Sequence, residues 1–192
     1  MRSVCRSVPS AVLALILFLA APAVARAASA QESWLRVDDP VTAYAIASGR
    51  EKSATFRALL EKLGRSDLII YVDRTPTLSD RTRGDTRFVV RAGGFRFLRM
   101  RLDLNAVTDA TVALIGHELR HAAEVADAPW IVDEASYGAH FKAVGFPSCV
   151  RPQPCYETDE AVLAGHRILR ELRGGRPPLA PRLEGQQVSG GE

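Results

Sequence analysis

Thr108-Asp109-Ala110-Thr111-Val112-Ala113-Leu114-Ile115-Gly116-His117-Glu118-Leu119-Arg120-His121-Ala122-Ala123-Glu124-Val125-Ala126 is the stretch on which the reading of this chain turns. Thr108 or Asp109 can cap a helix that starts here, and Pro129 ends it. Ala110, Ala113, Leu114 and Ala122 supply an apolar body, while His117, Glu118, Arg120 and His121 are polar. A helix of this composition needs partners for its apolar side, so the flanking segments decide the architecture.

Upstream, Ser53 is a good N-cap, and Phe56, Leu59, Leu60 and Leu63 recur at helical spacing until Gly64. Gln31 to Pro40 shows no periodicity and reads as an extended lead-in, with a short helix over Val41 to Ala47. Leu68 to Val72 reads as a buried strand. A polar loop from Ser79 to Thr86 leads to Phe88-Val89-Val90 and Phe95 to Leu104, which flank Gly93-Gly94 as in a hairpin. Phe95 and Phe97 take one phase and Met100, Leu102 and Leu104 the other, which predicts a bulge at Phe97-Leu98. Downstream, a helix is expected from Asp133 to Val144, with Tyr137, Phe141 and Val144 on one stripe and Gly145 as its stop. Thr158 caps a last helix with Val162, Gly165, Leu169 and Leu172 inward and Glu157, Asp159 and Glu160 near its positive end. The expected fold is α+β: a small mixed or antiparallel sheet with a hairpin, packed on the central helix and two to three further helices.

Histidines four apart on a helix lie one turn above the other on the same face. Imidazoles at His117 and His121 can therefore converge on one tetrahedral cation. Glu118 projects beside them, placed to take a proton from a metal-activated water and pass it to a leaving group. Two of the chain's four histidines fall within these five residues, which argues against accident. The competing reading is the solvated polar side of an amphipathic helix.

His117-Glu118-Leu119-Arg120-His121 resembles the active-site helix of the zincin metallopeptidases, whose motif is His-Glu-x-x-His. The longer run from His117 to Ala126 is similar to that of a group of short, exported bacterial proteins of unassigned function. The resemblance implies a zincin-like fold, Zn2+ as cofactor, His117 and His121 as ligands and Glu118 as the general base. It names no substrate. The metzincin pattern fits less well: Glu124 replaces its glycine, Asp127 its third histidine, and no methionine follows the motif.

A catalytic zinc takes three protein ligands and a water. Glu124 leads the candidates for the third, since it shares the histidine face and its side chain leans back toward the helix N-terminus. It serves equally as a partner holding His121. Glu134 and Asp133, at the start of the next helix, suit an acidic ligand given across a helix pair, although capping accounts for Asp133. His140 lies near the spacing that such zincins use, with a surface role as its alternative.

The N-terminus carries Arg2 and Arg6, an apolar stretch of about 14 residues and small residues at Ala25-Arg26-Ala27 and Ala28-Ser29-Ala30, so three arginines and no acid fall in its first 30 residues. That pattern predicts a secretory signal peptide over residues 1–30 rather than an anchor, which needs about 20 apolar residues. The expected location is secreted or periplasmic, with no stable membrane anchor after cleavage. Without that segment the 25 basic residues become 22, against 22 acids, so the basic balance is no argument for nucleic-acid binding. One domain over 31–174 and a disordered tail over 175–192 complete the organisation. Cys149 and Cys155, in a proline-rich loop, predict a local disulfide, with a zinc pair as alternative.

Tyr137 offers either an oxyanion donor or a core ring. Arg87, Arg91, Arg96, Arg99 and Arg101 give the hairpin a basic skin, suited to acidic partners or to plain solvation. His166 reads as a helix-flank residue. The functional expectation is an exported zinc hydrolase, a peptidase acting on peptide or protein. A non-catalytic metal-binding or scaffold protein of the envelope, or an interaction module without metal, are its rivals.

Overall fold

A computed structural model describes residues 33–75, 78, 83–148 and 155–174. The expected signal segment 1–30, the tail 175–192 and Cys149 lie outside the described residues. The elements run β1 (Leu35–Val37), α1 (Pro40–Lys52), α2 (Ala54–Leu63), β2 (Leu68–Arg74), β3 (Gly84–Ala92), β4 (Phe95–Leu102), α3 (Asp109–Asp127), α4 (Glu134–Val144), β5 (Phe146–Pro147), β6 (Tyr156–Glu157) and α5 (Asp159–Leu172). The fold is α+β. A four-stranded mixed sheet has the order β1-β2-β4-β3, with β3 and β4 antiparallel and the other pairs parallel; β5 and β6 form a separate small ladder.

Helix ends follow local capping chemistry. Asp39, Ser53, Thr108, Asp133 and Thr158 each accept a backbone N–H of the first turn that follows. The lead-in differs from expectation: Leu35–Val37 is a strand, and α1 extends to Lys52. Three residues are too few to show an alternation, and pairing with β2 makes the strand. The expected loop through Thr86 also gives way to strand from Gly84 onward.

One sheet face carries Leu68, Ile70, Leu98, Met100 and Leu102, all fully buried. Ile115 and Leu119 of α3, Phe56 and Leu63 of α2 and Ile168 of α5 complete the same core. Each side chain withdrawn from water contributes about 1.5–3 kcal/mol. On α5 the buried residues are Ala161, Ala164 and Ile168, with Leu169 and Leu172 only partly covered. The inward stripe is thus turned from the expected one because small residues let α5 approach α3. A Cβ at Gly116 would meet Ile168 Cδ1 at 2.2 Å. Val144, expected on the buried stripe of α4, is exposed, and only Phe141 of that helix is buried.

The bulge lies in β3, not at Phe97-Leu98: the register steps from Phe88↔Leu98 to Val90↔Phe97 and leaves Val89 over. β4 keeps a regular alternation, with Phe95 outward and Arg96 inward. Arg96 is buried, and its Nε and Nη2 donate to the Asp67 carboxylate at 2.9 and 2.6 Å. Its Nη1 donates to the carbonyls of Val125 and Ala128 at 2.7 and 2.8 Å. The last carbonyls of a helix have no partner within it, so this guanidinium closes the C-terminal end of α3 from across the core. Arg96→Met should cost about 3 kcal/mol, since buried carbonyls lose their donor. A urea titration checks this, and a loss below about 1 kcal/mol would contradict the capping role.

Candidate metal centre

Helix α3 holds His117 and His121 one turn apart, their rings edge to face with centroids 4.9 Å apart. Both Nε2 atoms meet one carboxylate, that of Glu157: His117 at 3.0 Å and His121 at 3.1 Å. The three ligand atoms lie within 4.8 Å of one another, so His117, His121 and Glu157 form a group that can hold a metal ion. Glu157 ends β6 and directly precedes Thr158, the N-cap of α5. Its place is set by the ladder with β5, where it pairs with Phe146.

Glu124, ranked first as third ligand, does not join that group. Its Oε2 lies 2.9 Å from Nδ1 of His121, on the far side of the ring from Glu157. Its Oε1 accepts from the Thr158 hydroxyl at 2.8 Å, and the same hydroxyl caps the α5 backbone at Ala161. Glu124 therefore meets His121 on the ring nitrogen away from Glu157, with Thr158 tying it to the segment that bears Glu157. Glu134 lies exposed in the first turn of α4. Asp133 caps that helix, its carboxylate accepting from Ser136 N at 2.8 Å, and the Ser136 bonds hold its carboxyl below the usual range. His140 stands against the rings of Trp130 and Phe141 instead, with centroids 6.0 and 5.2 Å away.

Set between Glu124 and Glu157, His121 is strongly basic. Burial opposes its charge, but hydrogen bonds to both carboxylates and the nearby Glu118 outweigh that and push it up to about 10. Burial raises the Glu157 carboxyl too, yet the bonds to His117 and His121 overcome it and hold Glu157 far below the ordinary carboxylate range.

Glu118 points from α3 to the start of β3. It is buried, and its Oε2 accepts from the Thr86 hydroxyl at 2.8 Å. A Cβ at Gly84 would stand 2.6 Å from Glu118 Oε1, so this glycine makes room for the carboxylate. Burial pushes Glu118 up, only partly offset by His121, His117 and the Thr86 bond. On the other side of Thr86, the Tyr137 hydroxyl donates to the Thr86 carbonyl. Burial and then the charge of Glu118 push that phenol above its usual value. Tyr137 thus packs against the strand that holds the acid.

Several features lie away from the group. Arg87 and Arg101 pair with Asp85, Arg99 with Asp73, and Arg96 is the buried capping residue, so much of the basic skin is internally paired. His166 is exposed on α5. Cys155 is disulfide-bonded, while Cys149, its expected partner, lies outside the described residues.

Gly84→Ala should cost about 1–3 kcal/mol through overpacking, and Glu118→Ala in the same chain should recover most of it; additive losses would contradict the contact. With metal removed by a chelator, stability should be greatest below the unfolded His value near 6.5. It should fall as pH rises toward 10, because the folded state holds the His121 proton more tightly. An unchanged unfolding midpoint across that window, in the parent protein and in His121→Leu alike, would contradict the ion-pair account.

No protein-family model, no curated protein and no solved structure matches this chain.

Proposed function

We propose that this chain is an exported zinc-dependent hydrolase of peptide bonds. The observation that carries the reading is the convergence of His117 Nε2, His121 Nε2 and the Glu157 carboxylate, with the buried acid Glu118 next to a ligand on the same helix. Two imidazoles and one carboxylate are a donor set that zinc accepts, leaving a fourth position open. Glu124 on Nδ1 of His121 is the supporting carboxylate expected behind such a ligand, fixing the tautomer that presents Nε2. Zinc in such a triad supplies an acidified water and polarises a carbonyl oxygen.

The chain's own residues supply the rest. Glu118, raised by burial, is a carboxylate able to accept a proton at Oε1 and return it to a leaving amine. Thr86, donating to Oε2, and Gly84, making room for Oε1, keep that carboxylate in one orientation. Among the described strands β3 is at a sheet edge, and its first residues touch Glu118. An extended polypeptide pairing with that edge would pass the acid, which favours a peptide over a smaller substrate.

Export rests on the basic, apolar and small-residue pattern of the first 30 residues. A disulfide-bonded Cys155 fits an oxidising compartment. Among the described residues no helix is long and apolar enough to cross a membrane.

Elemental analysis and a peptide-library assay on the parent and on Glu118→Gln test the proposal. Both proteins should carry about one zinc per chain, and the variant should lose activity by about 100-fold or more. Zinc with no hydrolysis in the parent would favour a metal-binding scaffold, and no zinc after incubation with the ion would overturn the proposal.

A further inference from the structure

The face of α3 that bears His117, His121 and Glu124 leads to the C-cap residue Ala128, which with Glu124 lines a cavity of about 420 Å³. The cavity is walled by Trp130 and His140, by Val144 of α4, and by Thr158, Asp159 and Glu160 at the start of α5. It shares Glu124 and Thr158 with the supports of the metal centre.

Its lining combines two features that call for different parts of one ligand. Trp130 is 62% exposed and Val144 57%, large apolar surfaces left in water. Carboxylates of Glu124, Asp127, Asp159 and Glu160 also line the cavity, against one lining guanidinium, Arg120. Arg120 already lies 3.5 Å from Glu160 and 3.9 Å from Glu124, and Asp127 pairs with Lys62 at 2.6 Å. Counting Lys62 and also His121, which lies 2.9 Å from Glu124, four acids still face three cations.

An apolar side chain would desolvate these carboxylates without replacing their partners, and an anion would be repelled. A long cationic side chain meets both demands. Its methylenes cover Trp130 and Val144, and its charged head reaches the acids and the indole face. The volume is at the small end of the range for ligand sites, which suits one side chain.

We propose that this cavity is a specificity pocket for a lysine or arginine side chain of a polypeptide held at the metal centre. The polypeptide's role rests on the hydrolase reading, whereas the pocket's charge preference does not. Helix geometry puts Ala128 about 10 Å along α3 from His121, a span that two or three extended residues cover.

The test uses the chain's two tryptophans, Trp34 and Trp130. Trp34→Phe leaves Trp130 as the fluorescent reporter, and the Trp130 indole N–H resonance of the unaltered chain gives the same readout by NMR. The probes are acetyl-Gly-Arg-Gly-amide and its norleucine and glutamate counterparts, titrated with chelator-treated and with zinc-loaded protein. The arginine peptide should give a saturable response in both, at least about tenfold tighter than norleucine, from cation–π and charge contacts together. An Asp159→Asn, Glu160→Gln double variant with unchanged Tm should weaken it several-fold. Equal affinity for arginine and norleucine peptides, or no saturable response, would overturn the pocket. Arginine-selective binding in a protein that hydrolyses nothing would sustain the pocket and sink the enzymatic reading, and hydrolysis without arginine preference would do the reverse.

Discussion

The Glu157 carboxylate, on which the site depends, reaches from the end of β6 to the Nε2 atoms of both histidines on α3. The contact joins segments far apart in sequence and half-buries an acid, which is favourable only when its oxygens are well paired. The surrounding structure meets that condition. Gly116 lets α5 close onto α3, Thr158 caps α5 while donating to Glu124, and the β5–β6 ladder fixes the approach of Glu157. At the other end of α5, Glu171 accepts from the Ser53 hydroxyl and the Thr55 N–H, tying it to the start of α2. The helix that follows Glu157 is thus anchored at both ends.

What was legible in the sequence was local. Ser53, Thr108, Asp133 and Thr158 announce helices by capping chemistry that needs no tertiary partner, and each cap is present. The spacing of His117 and His121 puts both rings on one face by helix geometry alone, and the structure keeps them there. The readings that failed depend on distant partners. Arg96 defeats hydrophobic alternation because its inward place is set by Asp67 and by carbonyls at the end of α3. Small residues on α5 carry its close approach, whereas the larger Leu169 and Leu172 marked the stripe for the eye.

Glu157 was visible as an acid beside the positive end of α5, and that role hid the other. Nothing local separates a carboxylate that complements a helix dipole from one that faces two imidazoles on another helix. Glu124 was the natural choice because it is on the motif's own helix. The structure puts it on Nδ1 of His121, while Glu157 meets Nε2 of both rings. Glu124 is near His121 in the chain, whereas Glu157 meets both rings only through the packing of a distant segment.

Whether His117, His121 and Glu157 form one ligand set can be read from anomalous diffraction at the zinc edge, with crystals grown with the ion. A single peak is expected about 2.0–2.2 Å from His117 Nε2, His121 Nε2 and a Glu157 oxygen. A peak ligated by Glu124 in place of Glu157, or no peak on this face of α3, would contradict it.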